Sequence, residues 1–247
     1  MNQVQELTTD NRVAALEALD TRLRWLSAWT IHNANHLRGS RDGLKVGGHQ
    51  ASCASISTIM AALYFHALRP NDKVAVKPHA GPVLHAIHYL LGNQTLDQLQ
   101  RFRGFGGAQS YPSRTKDQIP VDFSTGSVGL GVAVTLFASL VQDYLIAHGE
   151  LPENKAGRMI ALMGDAELDE GNIYEALIEG YKAYPIPKLE IWRESVGKPL
   201  LHPQDVHIVG IASDDPVSFS GGRIPAFALG DLDEIATFIH TFAIDWP

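Results

Sequence analysis

One stretch constrains this chain more than any other: Met159-Ile-Ala-Leu-Met163, then Gly164-Asp165-Ala166-Glu167-Leu168-Asp169-Glu170-Gly171-Asn172. A short unbroken apolar run closed by glycine is the pattern of a strand buried on both faces, as in a parallel sheet covered by helices. Beyond it, the spacing predicts a helix capped by Asn172, with Glu175 as capping-box partner and Ile173, Leu177 and Ile178 on an apolar side. Strand and helix are joined through a loop carrying Asp165, Glu167, Asp169 and Glu170. Ligands of open α/β sheets sit beyond the carboxyl ends of the strands. So acidic a loop repels a bare phosphate. A hard cation removes the conflict, because magnesium takes carboxylate and phosphate oxygens together. An exposed acidic turn that favours the helix N-terminus fits the same residues.

The remaining sequence bounds the frame. A length of 247 residues suits one large α/β domain, and 22 glycines suit its many tight turns. A net charge of −7 gives no footprint for nucleic acid. Cys53 is the only cysteine, which excludes an internal disulfide and fits a reducing compartment. No basic-then-apolar leader opens the chain, and no uninterrupted apolar run approaches bilayer length. The expectation is a cytoplasmic protein with no membrane partner.

Residues 10–37 read as a helix, with Asp10 as cap and Val13, Leu16, Leu23 and Leu26 among its apolar positions. Trp25 and Trp29 share a face, as do His32 and His36; the former read as core or interface, the latter as structural for want of a third metal ligand. Gly47-Gly48-His49 opens a helix predicted to run to about Leu68, whose small residues, Ser52 among them, suit either an approaching ligand or close packing. A strand over 72–77 ends at Pro78-His79 and is followed by a helix from about Val83 to Leu91, with His85 and His88 structural. A Thr95–Gln98 capping box opens another short helix. The long loop from Gly104 to Asp122 carries Ser110-Tyr111-Pro112, and loops of this length are often functional. Gly126-Ser127-Val128-Gly129-Leu130-Gly131 then opens an apolar helix to about Ala147, predicted to be buried. Its backbone amides could reach a diphosphate, its glycines could serve packing alone, and dinucleotide folds use similar turns.

Gly164-Asp165-Ala166-Glu167 with Glu170-Gly171-Asn172 resembles the diphosphate and metal motif of thiamine diphosphate enzymes, in particular the transketolase group and the homodimeric type of pyruvate dehydrogenase first component. Gly47-Gly48-His49, His79, Ser110-Tyr111-Pro112 and the Gly126–Gly131 loop resemble further motifs of that family and occur in its order, so the likeness covers roughly residues 20–183. It implies thiamine diphosphate and Mg2+ as cofactors and a small keto substrate. Asp165 would hold the metal. Gly126, Ser127, Val128 and Gly129, with Gly164, Ala166 and Glu167, would surround the diphosphate. Ser52 and Tyr111 would lie by the cofactor, and His49 and His79 by the reacting carbon.

Two departures stand out. The family takes a second metal ligand from an asparagine about thirty residues past the aspartate, yet no asparagine follows Asn172 here, and Ala166 stands where most such enzymes have glycine. The family also needs a second lobe, which binds the pyrimidine and supplies an activating glutamate. The sequence after Tyr184 is proline-rich and is read as a divergent tail, 185–247, completing or packing on a diphosphate-binding domain at 1–184. Within the tail, 207–212 reads as a strand able to take the sheet place beside 159–163, which would make Asp214 or Asp215 the substitute ligand, and 231–243 reads as an amphipathic helix. The fold expected is α/β, a mostly parallel open sheet with helices on both faces. The function expected is that of a thiamine diphosphate-binding lobe for two-carbon transfer or 2-oxo acid decarboxylation, working with a pyrimidine-binding lobe from another chain or a homo-oligomer. The alternatives are a non-catalytic module that keeps the fold and a nucleotide-binding oxidoreductase domain, the latter disfavoured by the acidic loop.

Overall fold

Every residue of β2 (Met159–Gly164) is buried, as its unbroken apolar run demands. The computed structural model that shows this describes residues 9–39, 42–183, 192–193, 198–199 and 206–212. β2 is the middle of a three-stranded sheet, between β1 (Lys73–Ala75) and β5 (Val206–Ala212), and both pairings are parallel. Alternation sends its side chains to two separate cores. Ile160 and Leu162, with Val74 and Val76, pack among Leu23, Ile56, Met60, Val83 and Ile87. Ala161 and Met163 pack among Val132, Leu136, Ile173 and Ala176. The first face is therefore covered by α1 (Thr9–His32), α3 (Ser57–Ala62) and α4 (Gly81–Leu90), the second by α6 (Leu130–Ala147) and α7 (Gly171–Ala183). This is the expected α/β arrangement, with helices on both faces of a parallel sheet.

β5 comes from the predicted strand at 207–212 and does take the place beside β2, in a register that sets Ala212 opposite Gly164. Asp214, Asp215 and the helix expected at 231–243 lie outside the described residues. A short antiparallel pair, β3 (Trp192–Arg193) and β4 (Lys198–Pro199), precedes β5.

Three helical expectations need correction. The helix from the Gly47 region to Leu68 is broken into α2 (Gln50–Ala54), α3 and a π turn at Leu63–Ala67. Serine hydroxyls compete with the helical ladder at the break: Ser55 Oγ donates to the Ser52 carbonyl at 3.1 Å and Ser57 Oγ to the Ala54 carbonyl at 3.3 Å. The interruption suits tertiary contacts, since Ser57 Oγ (2.6 Å) and Thr58 Oγ1 (3.0 Å) also donate to the buried Asp20 of α1, which pairs with Arg24. Asn172 does not cap α7, which opens one residue earlier, at Gly171. Finally, α6 is an outer-layer helix and is buried on one side only: Val132, Thr135, Leu136, Ser139 and Gln142 face inward, while Phe137, Val141 and Tyr144 are exposed. With 18 residues and a mean hydropathy of 1.7, α6 is also long and apolar enough to cross a membrane, although Gln142 and Asp143 interrupt its apolar run. Here its inward side packs against β2 and α7 as part of the second core.

Candidate functional site

Three connections leave the sheet at its carboxyl edge and meet there. After β1 the chain passes through Lys77 into a single turn at Pro78–Ala80, which carries His79, and on into α4. After β2 it passes into the turn Asp165–Asp169 and on into α7. The loop before α6 is tied to the end of β1 by Thr125 Oγ1, which donates to the Val76 carbonyl at 2.5 Å.

Glu167 locks the glycine-rich loop to the acidic loop. Its buried carboxylate accepts the Gly129 N–H at 3.2 Å and the Gly164 N–H at 2.6 Å. Asn172 adds a second tie, its Nδ2 donating to the Val128 carbonyl at 3.2 Å. Gly129 must be glycine for two reasons: its φ is +79°, and an added Cβ would stand 2.3 Å from Asn172 Oδ1 and 2.9 Å from the Glu170 Cβ. Gly126 differs, because a Cβ there would meet nothing within 4 Å.

The histidine pair forms the next part of the edge. His49 and His79 lie with ring centroids 4.2 Å apart, and Tyr111 meets His79 edge-on at 6.2 Å. Cys53 Sγ, in α2 just past His49, donates to the His79 carbonyl at 3.4 Å and so joins the two histidine segments. Gly47 is fixed by Asn35, whose side chain accepts its N–H (2.9 Å) and donates to its carbonyl (3.0 Å). Arg103, in the left-handed region at φ 59°, donates to the Val46 carbonyl at 2.6 Å and lies 5.6 Å over the Tyr111 ring. One guanidinium therefore braces the His49 segment and the tyrosine loop together.

Behind Tyr111 the loop is anchored to α4. His85 is fully buried; its Nε2 donates to the Gln109 carbonyl at 3.0 Å and stands 3.8 Å from the Asp117 carboxylate, while Nδ1 lies 3.0 Å from the Gln94 amide. Burial pushes the His85 imidazole below its ordinary range, with Asp117 opposing. Burial pushes the Asp117 carboxyl up, with His85 opposing. His88, buried beside a cavity of about 90 Å³ lined by Tyr64, Pro120 and Asp122, is lowered to about 4 by burial and by His85. Both histidine side chains are buried.

The structure thus gathers His49, His79 and Tyr111 into one cluster, and Val128, Gly129, Gly164 and Glu167 into another at the same sheet edge. Asp165 and Ala166 follow β2 directly, and Gly126 and Ser127 lie exposed in the loop before α6. Ser52 is buried in α2, its hydroxyl without a hydrogen-bond partner. His32 and His36 stack 4.8 Å apart, and no cluster of three potential metal ligands occurs among the described residues. Arg103 and Thr125 were not singled out by the sequence, which read Cys53 only for its redox setting and Asn172 only as a cap and motif residue; the contacts all four make are tertiary and leave no local pattern.

The sequence is 31% identical to the pyruvate dehydrogenase E1 component of Mycolicibacterium smegmatis over 159 residues, which is 60% of this chain and 16% of that protein. It is 32% identical to the mouse transketolase-like protein 2 over 141 residues, 53% of this chain and 21% of that one. The fold matches the transketolase from Leishmania mexicana with a TM-score of 0.59, at 20% identity, over 78% of this chain and 27% of that one. The chain resembles one part of these longer enzymes. It spans about a fifth of the curated relatives' length or less, and no family model matches it. The likeness bears out the expected resemblance to transketolase and pyruvate dehydrogenase. It covers only a fragment of those much larger proteins.

Proposed function

We propose that residues 1–184 form the lobe that holds the diphosphate of thiamine diphosphate through a magnesium ion, with 185–247 completing the same domain. The observation that carries this is the meeting of the two loops and the histidine pair at one sheet edge, with Gly129 and Gly164 bound to the same carboxylate. The residues fit a diphosphate: Gly126 offers open space beside backbone amides, and Ser52 Oγ and Asn172 Oδ1 are buried polar atoms without partners. Buried polar atoms left unsatisfied are costly, so a ligand that engaged them would bind favourably. In this reading Gly126, Ser127, Val128 and Gly129, with Gly164 and Ala166, surround the diphosphate, and Glu167 holds the two loops in place. Asp165 binds the cation. Asp214, which follows the end of β5 two residues past Ala212, takes the place of the family's asparagine.

Once bound, thiamine diphosphate supplies the electron sink for a carbanion. The chain contributes orientation and proton handling: His49 and His79 flank the reacting carbon of a small keto substrate, with Ser52 and Tyr111 beside the cofactor. Two-carbon transfer or 2-oxo acid decarboxylation then proceeds, in the cytoplasm, once a pyrimidine-binding lobe joins from another chain or a second copy. A non-catalytic module is the second reading, favoured by the missing asparagine. A nucleotide-binding oxidoreductase is disfavoured by the acidic loop that follows β2, which repels a bare phosphate. Calorimetry with thiamine diphosphate plus magnesium, run beside NAD, tests the choice. Saturable binding of the first alone is expected, and binding of neither favours the non-catalytic module.

A further inference from the structure

Ser110, Tyr111 and Pro112 lie between Gln109 and Ser113, and one buried pair of side chains binds the backbone on both sides of them. His85 of α4 donates from Nε2 to the Gln109 carbonyl at 3.0 Å. The Asp117 carboxylate accepts the Ser113 N–H at 2.8 Å and takes a further backbone hydrogen bond from Gln109. The Asp117 N–H in turn donates to the Ser113 carbonyl at 3.1 Å. The two side chains are 1% and 2% exposed, with Nε2 and Oδ1 3.8 Å apart. His85 Nδ1 is engaged as well, 3.0 Å from Gln94 Oε1, so the ring is held at both nitrogens.

A buried imidazole and carboxylate are costly to desolvate, and well-packed apolar residues would often fill the same space at least as favourably. What this pair adds is direction. The Ser110 carbonyl passes so close to Gly81, at the start of α4, that a Cβ there would lie 3.2 Å from it. The Pro112 carbonyl accepts the Thr125 N–H at 3.1 Å. Between these fixed points the Tyr111 ring meets His79 edge-on at 6.2 Å, and His79 lies 4.2 Å from His49. We propose that His85 and Asp117 are a positioning pair, which holds Tyr111 against His79 for the ligand of the site. This rests on the proposed function and deepens it. A tyrosine freed from that hold would have to be ordered on binding, which weakens affinity.

The test reads the Tyr111–His79 contact by histidine side-chain NMR on the full chain. The His79 resonance is identified by its loss in His79→Gln, and Tyr111→Leu shows where it falls without the neighbouring ring. His85→Leu and Asp117→Ala should each move the resonance most of the way to the Tyr111→Leu position. His85→Gln, whose amide can donate where Nε2 did, should largely restore it. In the Tyr111→Leu background neither change should move it further. A His79 resonance left in place while the melting temperature falls would make the pair merely structural and overturn the proposal. An equal displacement in the Tyr111→Leu background would overturn it too, since the effect would not run through Tyr111. Calorimetry with thiamine diphosphate and magnesium should show affinity falling about tenfold in His85→Leu, and wild-type affinity in that variant also overturns the proposal. No binding by the wild type overturns the proposed function, while the resonance still decides whether the pair positions Tyr111. Should His85→Leu or Asp117→Ala fail to fold, Asp117→Asn keeps an acceptor for the Ser113 N–H but removes the charge beside His85. It should displace the His79 resonance in the same direction, and an unmoved resonance overturns the proposal.

Discussion

Replacing the glycines before and within the first turn of α6 one at a time separates backbone strain from ligand space. Gly129→Ala places a side chain at φ +79°, costing about 1–2 kcal/mol. The new Cβ also lands 2.3 Å from Asn172 Oδ1 and 2.9 Å from the Glu170 Cβ, an overpacking that adds about 1–3 kcal/mol. The total of about 2–5 kcal/mol corresponds to a fall in Tm of roughly 4–20 °C for a domain of this size. Gly131→Ala meets only ordinary-to-tight contacts, 3.3 Å from Ala75 Cβ and 3.5 Å from Thr125 Cγ2, at no positive φ, and should cost far less. Gly126→Ala meets nothing and should melt with the wild type, yet it fills the space offered to the ligand and should weaken thiamine diphosphate binding. Circular-dichroism melts of the three variants, followed by calorimetry on those that fold, check the ranking. Equal melting of Gly126→Ala and Gly129→Ala, or a Gly129→Ala melt indistinguishable from wild type, would refute the reasoning.

Asp165→Ala should abolish magnesium-dependent thiamine diphosphate binding with the circular-dichroism spectrum unchanged, and Asp165→Asn should weaken it less; unaltered binding in the alanine variant would remove Asp165 from the metal site. The 247-residue chain alone should show no turnover of pyruvate or ketose phosphates, and turnover without added protein in a coupled assay would contradict the need for a second lobe. His88 is held near 4 when folded against about 6.5 unfolded, so the unfolded chain binds the extra proton first as pH falls; stability should be full above about 6.5 and decline by on the order of 2–3 kcal/mol by pH 4, a slope in urea titrations that His88→Gln reduces. Burial raises the Asp72 carboxyl, but hydrogen bonds from Arg158 and the Arg69 backbone outweigh it and hold the group below its ordinary value. Its stabilisation is therefore present above the unfolded carboxylate range and lost as pH falls through the folded value, so the stability gap between wild type and Asp72→Asn should close in acid.

What the sequence determined by itself is local. The unbroken run 159–163, the Thr95–Gln98 capping box, the glycine-rich opening of α6 and the strand at 206–212 are written in neighbouring residues, because periodicity, turn chemistry and capping act over a few positions. The order of motifs was enough to single out His49, His79 and the two loops. Tertiary structure decided the rest. The pairing of β5 with β2 joins strands more than forty residues apart, and nothing in either strand names its neighbour. Phe137 and Val141 are as apolar as Leu136 and Val132, but an outer helix meets the sheet with one side only, so the same chemistry ends exposed or buried according to what packs there. Glu167 and Asp169 are both acids in one short loop; only the approach of the Gly129 amide gives Glu167 a buried partner across the site. Burial and hydrogen-bond geometry are properties of surroundings assembled from distant segments, and those surroundings exist only once the chain has folded.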